Sequence, residues 1–438
     1  METAVPQAVV DAVAGLWAFT GARPDNRYEA PQFLRLKVAC AESYGTGAQF
    51  WFSYTLSEIL RSLGCPMFLP KEQRDLALPA DEAAEILHRT LTASTAKVVH
   101  LCPLDWADDP PEVNFGANRL KLFSSAELQA IADAPRLARA FPNRRIDWNK
   151  LSQFYWLIVE EKVTISTEPG ERTSPFMYQV MGDLGAIEAH ENRFPEIVEQ
   201  ALFLLLLAPW EDWSEAEEVD WRGWRIPWVY SISDDLCVSL KTPPSDDDLT
   251  LVPKTYTDYD GEPIEVEEPG RFMTSSAKVT LRDIVTDATW GGLSRALSSP
   301  LFAVPIRHFL VRAYHAQGID EFIAHLTVIE AALGLQSDYG RKPKGDPRNK
   351  RRVTEVMARR VSSLLEDEAT ALEYEELFDL RSAYVHGRPM APISSIDRFR
   401  ARRLARRVVV ALMAKALARG LSAPLDREQF LIGLAGRS

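Results

Sequence analysis

The sequence predicts an α+β chain, with a β-rich mixed N-terminal region over residues 1–295 followed by an all-α antiparallel helical bundle over residues 296–438. Three observations predict this. Short apolar runs with strand texture, bounded by turn residues, recur between about residues 98 and 270. After about residue 285 the apolar spacing changes to three and four and stays helical. The charge divides along the same line. Residues 341–438 hold 21 Lys+Arg against 12 Asp+Glu, and the other 340 residues hold 29 against 50.

At 438 residues, 46% hydrophobic and 26% charged, the chain can bury sizeable cores. That composition excludes wholesale disorder, a collagen-like sequence and a disulfide miniprotein. The longest apolar run, Ala201–Ala208, is too short to span a bilayer and suits a buried helix. The start, Met-Glu-Thr-Ala-Val-Pro, lacks the basic and small-residue signature of a signal peptide. Cys40, Cys65, Cys102 and Cys237 lie far apart without a Cys-x-x-Cys pair and read as reduced core thiols. These features predict a soluble, cytoplasmic protein.

Residues 1–70 give mixed signals, with an apolar patch at Val9–Phe19 and an aromatic segment at Phe50–Tyr54. Ser43–Gly47 holds two glycines but lacks the Lys-Ser/Thr of a phosphate loop, so it reads as a turn. Residues 81–92 have helical spacing opened by Asp81. Val98–Pro103 reads as a strand, and Val113–Phe123 as a hairpin around Gly116-Ala117-Asn118. A short helix is expected at Ser125–Asp133, a further strand at Tyr155–Thr164, and a strongly apolar helix at Ile187–Leu207. His88, His100 and Cys102 match no common metal-site spacing and read as structural. Five of the eleven tryptophans fall between Trp210 and Trp228, ahead of a strand at Val229–Ser233. Such a cluster can stack bases or sugars, but core packing is the expectation. The Pro-, Asp- and Glu-rich stretch 241–270 predicts an exposed loop or hairpin.

Helices are expected at Leu301–Ala316, at Ile319–Leu335 with Phe322, Leu326, Ile329 and Leu333 inward, at Arg351–Leu365, at Ala369–His386 and at about Ser394–Arg419. A basic loop, Ser337–Asn349, interrupts them, and Gly387 with Pro389 stops the fourth. In the last helix Leu404, Val408 and Leu412 form the apolar stripe, while Arg398, Arg402 and Arg406 repeat every four residues. With Arg388, those arginines form a candidate RNA-binding surface, because guanidinium groups grip phosphate and displace its counterions. Solvated helix faces are the plainer explanation of such charge runs.

One constellation carries chemistry. The string Leu377-Phe378-Asp379-Leu380-Arg381-Ser382-Ala383-Tyr384-Val385-His386-Gly387 resembles the signature of HEPN domains, in particular the ApeA-like branch of prokaryotic defence proteins. Ile329-Glu330-Ala331-Ala332-Leu333 is similar to the family's first-helix motif, and Arg360–Leu365 to its Arg-led second helix. The resemblance covers about residues 301–420, with Phe378 where the family has Tyr and a longer, more basic loop at 337–349. It implies a metal-independent endoribonuclease without cofactors, built as a homodimer whose Arg-His helix ends face each other, in antiviral defence or toxin-type growth arrest. Arg381, His386 and Ser382 are then the candidate catalytic residues and Glu330 an accessory anchor for Arg381. Imidazole titrates near neutrality and can serve as base or acid, and a guanidinium can stabilise charge on the phosphate. The N-terminal region would sense a trigger or bind a regulatory partner. The competing expectation is an inert HEPN protein that only binds RNA or dimerises.

Overall fold

We describe the chain from a computed structural model covering residues 4–21, 24, 26–46, 50–173, 190–215, 220–275, 281–302, 304–339, 353–418 and 426–436. It is a mixed α+β protein with a helical C-terminal region. No helix among the described residues is long and apolar enough to cross a membrane. The chain forms two compact units, each assembled from three separated segments. One comprises 1–103, 122–188 and 227–249, the other 104–121, 189–226 and 250–438. Segments 104–121, 189–226 and 250–295 group with the C-terminal helices, where the sequence reading placed a division at 295/296. The indoles of Trp221 and Trp224, for example, pack on Tyr314.

The first unit opens with four helices, α1 (Gln7–Trp17), α2 (Pro31–Tyr44), α3 (Phe50–Leu63) and α4 (Ala80–Thr92). The mixed signals before residue 70 thus resolve as helix rather than β structure. The aromatic run at the start of α3 favours strands locally, but burial of one face overrides that preference. Val9, Val13 and Leu16 of α1, Phe33, Leu36 and Cys40 of α2, and Leu56, Ile59 and Leu60 of α3 meet Leu87 and Leu91 of α4 in one core. Gly45 takes the left-handed conformation (φ 64°) that ends α2. Asp81 does not cap α4; Pro79 holds that position, and Asp81 and Glu82 sit in the first turn where the helix dipole favours anions.

Three strands follow in this unit, β1 (Thr95–Leu104), β2 (Tyr155–Thr164) and β3 (Tyr230–Ser233), ordered β2-β1-β3. β1 and β3 are antiparallel, with Val98 opposite Ser233 and Leu101 opposite Tyr230. The helix Ser125–Ile131 begins with a capping box between Ser124 and Glu127.

The second unit contains two hairpins. In Val113–Phe115/Asn118–Leu122 the turn residue Gly116 has φ 62°, and a Cβ there would lie 2.7 Å from the Trp290 ring, so only glycine fits. The acidic stretch becomes the hairpin Leu251–Thr257/Pro263–Pro269. Helix α5 (Glu196–Leu206) is shorter than expected, since residues 190–195 are not helical and Pro195 precedes the first turn; 187–189 lie outside the described residues.

The remaining helices are α6 (Asp287–Leu297), α7 (Ile306–His315), α8 (Gly318–Leu333), α9 (Val353–Leu365), α10 (Ala369–Val385), α11 (Ser395–Ala418) and α12 (Arg427–Gly436). α8 packs on α7 and α11, and α9 packs on α10 and α12. Phe322, Leu326, Ile329 and Leu333 of α8 and Leu404, Val408 and Leu412 of α11 are all buried, as their spacing requires. Residues 340–349 of the basic loop lie outside the described residues.

Candidate active site

Helix α10 delivers Arg381 and His386 to different surroundings. Arg381 is turned into the helical region, where its Nη1 donates to Glu330 Oε1 on α8 at 3.1 Å and its guanidinium lies 5.7 Å from the Phe378 ring centroid. Its Nε is buried with no hydrogen-bond partner. Burial pushes the Glu330 carboxyl upward from its ordinary value, and the adjacent Arg381 charge opposes that shift.

The helix ends in a Schellman motif. The Gly387 amide donates to the Tyr384 carbonyl at 3.0 Å and the Arg388 amide to the Ala383 carbonyl at 2.8 Å, with Gly387 at φ 63°. The motif fixes His386 as the final residue (φ −92°, ψ 6°), its amide bonded to the Ser382 carbonyl at 3.1 Å and its imidazole exposed. Five residues on an ideal helix correspond to about 140° of rotation. The two side chains accordingly share no hydrogen bond, and the structure brings Arg381 to Glu330 rather than to His386. Ser382 is half-buried between them.

Beside this helix end lies an open cleft of about 520 Å³ lined by Phe322, Tyr384, Met390, Pro392, Ile393 and Arg398, among others. Sequence reasoning missed it. The signal was the pair Pro389 and Pro392, which prevents the chain from continuing as helix and lays it beside α8 and α10.

The arginine row on α11 is a correction. Arg402 is fully buried, stacked 4.5 Å from the Trp221 ring centroid and hydrogen-bonded to the Leu206 carbonyl, with Glu211 at 3.4 Å. Arg406 pairs with Glu211 and Asp212, and Arg398 donates to the buried Glu321 at 3.0 Å. These three guanidinium groups are committed to carboxylates and carbonyls of their own chain, which removes them as a phosphate-contacting face. Of the four proposed contacts, only Arg388 is exposed without an ion pair among the described residues.

Glu321 also accepts from Trp221 Nε1 at 2.6 Å and Arg222 at 3.3 Å, and Arg222 is further held by Asp220 and the Tyr314 carbonyl. The tryptophan cluster is core, as expected, for Trp210, Trp213, Trp221 and Trp224, which are buried. Trp228 differs and lines a cavity in the first unit.

His88 meets the Tyr44 hydroxyl at 3.0 Å, and His100 meets Ser231 at 2.7 Å and Glu161 at 3.2 Å. Both therefore have structural partners. Among the described residues no group of three or more His, Cys, Asp or Glu side chains could hold a metal ion. All four cysteines are buried and free, and burial pushes the Cys40 and Cys65 thiols up to about 12, which keeps them protonated and unreactive. Comparison with known proteins adds no relative, as no family model, curated protein or solved structure matches the chain.

Proposed function

We propose that this protein is an endoribonuclease that cleaves RNA by transesterification at the α10 helix end, as a cytoplasmic homodimer serving antiviral defence or growth arrest. The observation that carries the reading is the exposed imidazole of His386 held by a Schellman cap, five residues after an arginine anchored on Glu330. In the reaction a base takes the 2′-hydroxyl proton, the 2′-oxygen bonds to phosphorus, and the bond to the 5′-oxygen breaks as an acid protonates it. The products are a 2′,3′-cyclic phosphate and a 5′-hydroxyl. His386 supplies the base or acid, and an arginine stabilises the added charge on the phosphate.

The divergence of Arg381 and His386 around one helix supports a composite site, in which each copy contributes the end of α10 and the two ends face each other. Exposed Tyr384 and Val385 beside His386 give that face an apolar component. The Arg381–Glu330 ion pair favours a second reading, an inert HEPN-like module that binds RNA or dimerises, because the arginine already has a structural partner.

The deciding experiment is RNA cleavage in excess chelator, with wild type and His386→Ala at matched concentration. Cleavage by wild type alone, leaving cyclic-phosphate ends, supports the nuclease. Equal cleavage by both removes His386 from the mechanism. Salt-sensitive RNA binding without cleavage by either selects the second reading.

A further inference from the structure

The hairpin Leu251–Thr257/Pro263–Pro269 has the alternation of a half-buried sheet, yet its apolar face is open. The Gly270 amide donates to the Thr250 carbonyl at 3.0 Å and the Asp258 amide to the Glu262 carbonyl at 2.9 Å. With the register between those pairs, this makes the even-numbered residues the ones that bond across the hairpin. They also share one face, with Val252, Lys254 and Tyr256 opposite Glu268, Val266 and Ile264. Glu268 accepts from the Lys254 ammonium at 3.0 Å and from the Tyr256 hydroxyl at 2.6 Å, so the charges on that face cancel. Tyr256, Ile264 and Val266 remain 46%, 45% and 42% exposed, and Tyr259 at the turn is fully exposed. The reverse face holds Thr255, Thr257, Glu265 and Glu267. Such alternation normally accompanies a sheet with one face on a core.

Backbone and charge together decide what fits this face. The prolines Pro253, Pro263 and Pro269 all stand at odd positions, whose amides would point away from the hairpin. Both edges therefore lack donors and resist an added strand, which leaves an occupant lying across the face. A helix meets that condition, because it satisfies its own backbone. Residues 251–269 carry Asp258, Asp260, Glu262, Glu265, Glu267 and Glu268 against Lys254 alone. Glu268 is taken by Lys254, and the others form no ion pair among the described residues. That charge repels nucleic acid and the same hairpin of a second copy, and it attracts a cationic partner. A two-stranded hairpin is marginally stable alone in water, so covering its apolar face stabilises it.

We infer that this hairpin docks a basic amphipathic helix of another protein, with the helix's apolar stripe on Tyr256, Ile264 and Val266 and its Lys or Arg side chains toward Asp260 and Glu262 at the turn. The hairpin is rooted in the second unit, where the Thr250 amide and hydroxyl donate to Asp105 at 3.0 and 2.9 Å. The surface uses no residue of the α10 helix end and stands whether or not that end cleaves RNA.

The test titrates the full chain into a fluorescent Leu/Lys peptide of about 18 residues, five helical turns with leucine along one face, and reads anisotropy at about 0.1 M salt. Binding is expected, with slowed hydrogen exchange of the amides in 251–269. Ile264→Thr/Val266→Thr keeps both side chains β-branched and should weaken binding about tenfold. Asp260→Asn/Glu262→Gln, which leaves the apolar face untouched, should weaken it about fivefold. A peptide of the same composition in scrambled order, and a Leu/Glu counterpart, should not bind. The assignment is overturned if the Leu/Lys peptide fails to bind at about 200 μM, if both variants bind like wild type, or if the scrambled peptide binds equally well. Tighter binding of an alternating Val/Lys strand peptide would return the contact to the edges. A wild-type dimer in sedimentation that Ile264→Thr/Val266→Thr loses would give the face to a second copy instead.

Discussion

Two arginine-bearing helices of the second unit, α10 and α11, use their guanidinium groups in opposite ways. On α11, Arg398, Arg402 and Arg406 converge on Glu321, Glu211 and Asp212 in an interior that also holds Trp221. On α10, Arg381 makes one partly exposed ion pair, and the residues after it, His386 and Arg388, face solvent. Helical spacing of basic residues therefore does not mark a surface. What separates the two is where the neutralising carboxylates come from. The α11 arginines draw theirs from positions nearly 200 residues earlier and from the neighbouring helix, and an interior charge is tolerated when an opposite charge lies beside it.

The comparison can be broken at its strongest point first. Glu321→Ala removes the buried shared acceptor of Trp221, Arg222 and Arg398, leaving Arg398 without its carboxylate and Arg222 with Asp220 alone, so urea unfolding should show a loss of about 3 kcal/mol. A loss below about 1 kcal/mol would show that water reaches the cluster and that the contrast with α10 is false.

A second perturbation uses pH. His325 is fully buried without a hydrogen-bond partner and faces Arg402, Arg222 and Arg398, with Trp221 against its ring. Burial, reinforced by those cations, holds its titration well below the ordinary histidine value of 6.5. The unfolded chain then takes up the proton first, so stability is complete above about pH 6.5 and declines as pH falls below it. Each further pH unit costs about 1.4 kcal/mol from this group. His325→Leu should flatten that acid limb relative to wild type in unfolding measured between pH 7.5 and 5. Identical slopes would show that His325 does not carry the acid sensitivity.

At the α10 end the expected stability effects shrink while the functional ones grow. Arg381→Ala breaks a partly exposed pair and should cost about 1 kcal/mol in stability but all RNA cleavage. His386→Ala changes an exposed side chain and should leave stability within about 0.5 kcal/mol, again without cleavage. Retained cleavage in either variant, with the fold intact by circular dichroism, would move the chemistry elsewhere.

Local signals made much of the fold readable. β1, β2 and the first hairpin follow from strand texture and turn residues, and α8 to α11 from apolar spacing and the Gly387 stop, while the acidic stretch left loop and hairpin open. What could not be read locally depends on partners far along the chain. The acidic run 361–380 and the basic run 381–420 are a case in point. Arg400 pairs with Glu373 and Glu376, Arg407 with Asp367 and Lys415 with Glu366, so the two runs of opposite charge meet and partly neutralise each other within one unit. The aromatic cavity was hidden for the same reason, because Trp148, Trp156 and Trp228 lie up to 80 residues apart. Trp228 was visible only as the last of a cluster whose other members are core. The string 377–387 was legible as a motif, and the structure adds that its arginine and histidine point apart.

The long reach of α11 also has a consequence in time. Trp221 and the Glu211 carboxylate acquire their covering guanidinium only when Arg402 has been synthesised, about 180 residues later. At roughly 5–20 residues per second, translation leaves them waiting on the order of 10–35 s. Until then the tryptophan-rich segment of a nascent chain carries a bare carboxylate beside uncovered indoles. The second unit is thus obliged to fold late, as its last long helix arrives.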